Sequence, residues 1–392
     1  MNFFEAIKEL GIEKYPESLP EIFENEREPL DMSDAFFDKL EADHAALGKR
    51  IDAIKLCAKE VEKNETLKEY TRAAVKFLER ANHTEGGKLV LPKFEEDSPL
   101  FHYPIMLLAL ALPNGVATYL RRGFPEDEVK KIISAFGPRI SATDKNGKFS
   151  NGSYNWLRHY TSAALFNAGL FGITPRLIDA PILILKNGDG EYKIMMTDGK
   201  YHKSGKVFGS AGCLDEDGSF MADFSDNGEC YTGHEVVNSC VSKEVITIKK
   251  SEWRVIAKQW DWMVGLHIPR GADLSEESMT KGFHDAMAKT LKHYSDLDPK
   301  VVHTSTWLLS PTLADLCEHK GGITRFQNRF IKYPIKSGGK ELFGFAFPSG
   351  IEKYEDLPEE TSLQRKLKAL YISGGFSLAH AGFVPDSDTW RD

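Results

Sequence analysis

A chain of 392 residues with 41% hydrophobic and 11% aromatic content has room for about two globular domains, which excludes a disordered or fibrous protein. The net charge is −8, concentrated in residues 1–50, which hold 13 acids against 6 bases. With a pI near 5.9 and no basic stripe, neither nucleic acid nor a membrane surface is expected as a partner, and the acidic front reads as a solvated helical face.

The opening MNFFEAIKEL reads as an acidic amphipathic helix without the basic flank and apolar core of a signal peptide. Apolar residues then recur at helical spacing over 34–62 and 65–81, with Ser33 and Asn64 as caps. Further helices are expected over 100–112, 125–135 and 154–169, with loops over 82–98 and 144–152. The apolar run 104–112 is shorter than the ~20 residues that span a bilayer, so a cytoplasmic protein is expected.

Composition changes near Pro175. Thr174-Pro175 reads as the break that ends the helical part, which places a domain boundary between 174 and 175. Short β-rich runs follow at 180–186 and 192–197, joined by the hairpin signal Asn187-Gly188-Asp189-Gly190. The pattern continues over 201–207, 219–224, 229–236 and 244–249, and a brief helix is expected at 251–254.

From Trp262 the order is strand, helix, strand, short helix, strand, strand. WMVGLHI (262–268) ends at Pro269, and a helix capped by Ser275 runs to about Tyr294. VVHTSTWLL (301–309) reads as a strand, followed by a short helix and strands over 323–335 and 342–347. A crossover helix makes the first two strands parallel. The class is therefore α+β, with an all-helical N-terminal domain (1–174) and a mixed α/β domain (175–392).

Several segments carry a resemblance: WLR (156–158), YTGHEV (231–236), SEW (251–253), LHIPRG (266–271), STWLLSP (305–311), ITRFQNRF (323–330) and TSLQR (361–365). With the element order, they resemble a bacterial family that pairs a helical N-acyltransferase N-terminal domain with a GNAT-like C-terminal domain. The resemblance implies two parallel strands that splay around the pantetheine arm of coenzyme A. It implies an acyl-CoA co-substrate; no metal or disulfide is expected, because Cys57, Cys213, Cys230, Cys240 and Cys317 form no CxxC pair and no histidine cluster accompanies them. The implied activity is acyl transfer to a small amine; the alternatives are a catalytically inactive module that binds a metabolite or protein partner, and thioester hydrolysis.

Acyl transfer needs a pyrophosphate site, a donor to the thioester oxygen and a route for the amine proton. The N-terminus of the helix at Ser275 suits the pyrophosphate, with Arg270 and Gly271 in the preceding turn, although PRGADLS has fewer glycines than the usual GNAT loop. The alternative is a turn that binds nothing. His267, at the end of the first splayed strand, and His303, early in the second, are candidate proton acceptors or hydrogen-bonded structural residues. Strand alternation puts Ser305 and Trp307 on the face of His303, Ser305 as a proton donor to the thiolate or a partner of the backbone and Trp307 as substrate wall or core. Arg325, Gln327 and Arg329 would alternate along one strand face, able to hold an acidic acceptor or simply to face solvent. There is no nucleophile elbow, Walker A loop or GxGxxG, and DEDG at 215–218 is a turn rather than a calcium loop.

Overall fold

The computed structural model describes residues 1–392 apart from 82, 144–145, 320, 349–350, 352 and 391–392. The loops expected over 82–98 and 144–152 begin on residues outside that set. The chain divides into two compact units, Met1–Phe166 and Asn167–Asp392.

The first unit is helical: α1 (Phe3–Glu9), α2 (Leu19–Asn25), α3 (Asp34–His44), α4 (Ile51–Glu62), α5 (Glu65–Arg80), α6 (His83–Gly86), α7 (Tyr103–Arg121), α8 (Glu126–Ser134), α9 (Phe136–Ile140) and α10 (Tyr154–Thr161). Both expected caps form, Ser33 accepting from the Phe36 amide at 3.2 Å and Asn64 from the Leu67 amide at 2.8 Å. The helix expected to run unbroken over 34–62 is interrupted after His44, where Ala45 takes a left-handed backbone. The apolar run at 104–112 belongs to a longer helical stretch. Pro99–Arg121 is long and apolar enough to cross a membrane by length and composition alone, yet more than half of its apolar window is buried, and α4, α5 and α10 pack on α7. This is the burial of a core helix. The helix expected to reach 169 stops at Thr161, because Ala163 turns to a positive φ of 52°.

The second unit contains two six-stranded sheets. Strands β1 (Phe166–Ala168) and β2 (Phe171–Leu177) open the first. Thr174-Pro175 therefore lies inside a strand, which its proline tolerates for a definite reason. Val264, opposite Pro175, gives its amide to the Val301 carbonyl on the other side, so the proline nitrogen faces away from that neighbour, toward the three-residue β1.

The second sheet is the antiparallel meander: β3 (Ile182–Asn187), β4 (Tyr192–Met196), β7 (Ser225–Asp226), β8 (Cys230–Val237), β9 (Cys240–Lys249) and β10 (Trp253–Lys258), with β5 (Lys200–Tyr201) and β6 (Phe220–Met221) as a separate pair. The expected hairpin forms at 187–190, where the Asn187 side chain accepts the amides of Asp189 and Glu191. The run 201–207 contributes only Tyr201 to a strand and 219–224 only Phe220 and Met221, and 251–254 opens β10 instead of a helix.

The first sheet continues with β11 (Trp262–His267), helix α11 (Glu276–Tyr294), β12 (Val302–Thr306), α12 (Pro311–Leu316), α13 (Gly321–Gln327), β13 (Ile331–Pro334), α14 (Phe343–Ala346), α15 (Ser362–Ile372) and β14 (His380–Phe383). Its order is β1-β2-β11-β12-β14-β13, with β11 and β12 parallel. Helix α11 starts at its Ser275 cap as expected and packs on one face of the sheet, Phe171 and Phe283 stacking at 5.2 Å. The opposite face, with Met263, Tyr333, Ala381 and Phe383, shares a core with Ile182, Ile184, Ile194 and Met196 of the meander.

Of two expected strands, 323–335 forms a strand only in its second half, as β13, and 342–347 is helical. In 323–330, Ile323, Phe326 and Phe330 recur at three and four residues, a helical period behind the Gly321-Gly322 start. In 342–347 the Phe343 and Phe347 rings instead pack with Tyr371 in a satellite cluster. Beyond α15, β14 fills the place expected for those strands by inserting between β12 and β13.

Candidate active site

Strands β11 and β12 pair at only two register positions, Val264 with Val302 and Gly265 with His303. Beyond these each strand continues on its outer partner, β11 on β2 and β12 on β14. The two parallel strands part at Gly265 and His303, and the Thr304 hydroxyl reaches across the parting to the Leu266 carbonyl at 3.0 Å.

Alternation puts Thr174 and Arg176 of β2, Gly265 and His267 of β11, His303 and Ser305 of β12 and Tyr333 of β13 on one face. His303 and Tyr333 are buried, at 1% exposure each, and bonded through Nε2 and Oη at 2.8 Å. Burial first, and the Arg176 charge second, hold the His303 imidazole well below its usual range, so it is neutral. Burial likewise pushes the Tyr333 phenol up. Nδ1 of His303 is buried without a hydrogen-bond partner.

Toward the strand ends the face opens to water. His267 is half-buried and shares a 2.8 Å hydrogen bond between Nε2 and the Thr174 hydroxyl. Ser305 is exposed and accepts from Arg176 Nη2 at 3.0 Å. Arg176 reaches it over Gly265, where a Cβ would lie 3.2 Å from the Arg176 Cδ and 2.7 Å from the Thr174 carbonyl oxygen. Glycine is what permits this crossing.

His267, His303 and Ser305 are thus brought to one face. Trp307 is not with them. Strand β12 ends at Thr306, and Trp307 opens a 3-10 turn (Trp307–Leu309) with its ring 5.3 Å from Phe345, in the satellite cluster. Arg325 and Gln327 share no strand face, since both lie on α13. Gln327 is buried at 1% exposure, donating to the carbonyls of Leu308 and Ser310 at 2.8 Å each and accepting from Lys332 Nζ at 3.0 Å. Every polar atom of that amide is used inside the protein, which makes it a clasp between the 307–310 turn and β13.

Arg270 and Gly271 lie exposed in the turn after β11, Gly271 at a φ of +79° with open space around its Cβ direction. Ser275 caps α11, but an anion already sits there. The Asp273 carboxylate accepts from the Ser275 amide at 2.9 Å, the Ser275 hydroxyl at 2.8 Å and the Ser278 hydroxyl at 2.5 Å. The Ser278 and Ser275 hydrogen bonds hold it below the usual carboxylate range. Glu276 and Glu277 add charge in the first turn, while Arg325 and Arg329 offset it nearby. The parting strands suit the arm of an acyl thioester; the acidic turn is a poorer match for a pyrophosphate.

Sequence reasoning missed Thr174, Arg176 and Tyr333. The signal for the first two was the alternation in FGITPRL, masked by its Thr-Pro pair.

No curated protein matches the chain. Two solved structures align over 98% of this chain and 99% of theirs: an acyltransferase in complex with CoA and 10C-Teicoplanin, at 15% identity and a TM-score of 0.61, and an acyltransferase in complex with decanoyl-CoA, at 14% and 0.60. At such identity the likeness is one of fold. The family model described as the GNAT-like C-terminal domain matches residues 205–384, which include β11, β12, β13 and α11 but not β2 with its Arg176. Residues 205–384, just under half of the chain, are thus similar to the GNAT-like C-terminal domain family.

Proposed function

We propose that the second unit transfers an acyl group from acyl-CoA to an amine at the parting of β11 and β12. The observation that carries this reading is the two-position parallel pairing, which opens the sheet beside a polar face at His267 and Ser305. The similar structures hold CoA or decanoyl-CoA, which supports an acyl-CoA co-substrate; they do not support restricting the acceptor to small amines.

In this reading the amine nitrogen attacks the thioester carbonyl carbon, a C–N bond forms, the C–S bond breaks and CoA leaves as thiolate. His267, half-buried at the strand end, receives the amine proton. The Ser305 hydroxyl, oriented by Arg176, donates a hydrogen bond to the leaving thiolate, which takes its proton from water. His303 is a positioning residue, neutral and tied to Tyr333 beneath them. Arg270, Gly271 and Ser275 flank the cofactor's phosphates, with Asp273 displaced or bridged.

The test is release of free thiol from acetyl-, octanoyl- and decanoyl-CoA in the presence of an amine panel, alongside thermal stabilisation by CoA. CoA-dependent stabilisation with thiol release is expected. Stabilisation without any release points to the binding module; release without amine points to thioester hydrolysis.

A further inference from the structure

The guanidinium of Arg176 has a polar environment unlike that of Lys186, Lys193, Arg72 or Arg50. Lys186 is paired with Asp386 at 2.8 Å and Asp388 at 3.4 Å, Lys193 with Glu235 at 2.6 Å, and Arg72 with Glu69 at 2.9 Å. Arg50 has no carboxylate, but neutral acceptors on His102, Ile140, Ser150 and Asn151 take its donors. Arg176 has neither kind of company. Its single hydrogen bond among the described residues goes to the Ser305 hydroxyl, and its Nε is buried without a partner.

The groups around it do not neutralise it. His303 and Tyr333 are uncharged, and Asp179, whose charge it feels, makes no ion pair with it. Burial depresses the guanidinium pKa, the mark of a charge partly stripped of water. Such a cation is costly in the free protein and becomes favourable once a ligand brings a negative charge. Its position is also specific: it crosses β11 at Gly265, where the strands part, and ends at the exposed Ser305, on the sheet face that also carries His267.

We propose that Arg176 binds a carboxylate of the acyl acceptor beside Ser305, so that the acceptor class is an amino acid or similar amino-carboxylate rather than a plain amine. This rests on the acyl-transfer reading for the identity of the ligand as acceptor. The carboxylate takes the guanidinium donors in a charge-assisted contact, which orients the neighbouring amine toward His267.

The experiment uses the full chain and matched pairs of probes: alanine, phenylalanine and glutamate as free amino acids, each against its carboxamide. Saturation-transfer NMR measures binding without CoA, and thiol release from octanoyl-CoA measures turnover. The acids are expected to bind about 10- to 100-fold more tightly than their carboxamides. Arg176→Gln should abolish that preference while Arg176→Lys keeps part of it, at melting temperatures that show both variants folded. Equal binding of acid and carboxamide, binding of no acid at millimolar concentration, or a preference that survives Arg176→Gln would each overturn the proposal. An acid preference in binding with no thiol release would keep the anion site and sink the transfer reading. Thiol release that ignores the carboxylate would do the reverse.

Discussion

The imidazole of His303 and the phenol of Tyr333 meet at 2.8 Å across the intervening strand β14, both rings buried. That pair has a pH signature. Above about 6.5 His303 is neutral in both folded and unfolded chains and contributes no pH dependence. As the pH falls below that value the unfolded chain takes up a proton that the folded protein refuses, so stability drops. His380, pushed down to about 4 chiefly by burial, adds a second such proton over the window from about 6.5 to 4. Each contributes a slope of about 1.4 kcal/mol per pH unit. Urea midpoints between pH 8 and pH 5 should fall steeply, and His303→Gln should flatten the curve by one proton's worth.

Gly265→Ala should destabilise the second unit by about 1–3 kcal/mol, because the new methyl group meets backbone at the Thr174 carbonyl and forces the Arg176 stem aside. Chemical denaturation measures the loss. A variant as stable as the parent would show that the crossing over Gly265 has slack.

At the turn before α11, two substitutions should act in opposite directions on CoA affinity measured by calorimetry. Arg270→Ala removes one charge-assisted contact and should weaken binding by about 1.5–3 kcal/mol. Asp273→Asn removes the anion already seated at the helix start and should strengthen it. Gly271→Val should weaken binding through its backbone, since a φ of +79° is strained for a branched residue. If none of the three changes affinity, the phosphates bind elsewhere.

Gln327→Ala should cost stability without changing any acceptor's KM. It strands the carbonyls of Leu308 and Ser310, each at about 1–3 kcal/mol if left unsatisfied. A raised KM at unchanged stability would return Gln327 to the substrate site.

What the sequence disclosed and what it hid follow from how local each signal is. The caps at Ser33, Asn64 and Ser275, the hairpin at Asn187 and the parallel pair β11 and β12 are written in contiguous residues. His267, His303 and Ser305 were legible because they sit on those strands. Arg176 was not, since its role depends on Gly265 of another strand leaving room for it. Strand β14 is four residues long and contains a glycine, too brief to show alternation, and its identity comes from the ladders on both its sides. The 323–330 stretch failed differently: its polar residues alternate while its apolar ones follow a helix, and burial of Phe326 decided for the helix.

The insertion of β14 between β12 and β13 also sets an order of events for folding. β12 and β13 have no ladder with each other, so β13 cannot zip onto β12 as the chain collapses. They must wait for a distant four-residue segment to close a long loop and act as the wedge that joins them, a contact of high sequence separation and correspondingly slow formation. Until it arrives, β13 has no partner in the sheet and β12 lacks the ladder that carries it past His303 to Thr306.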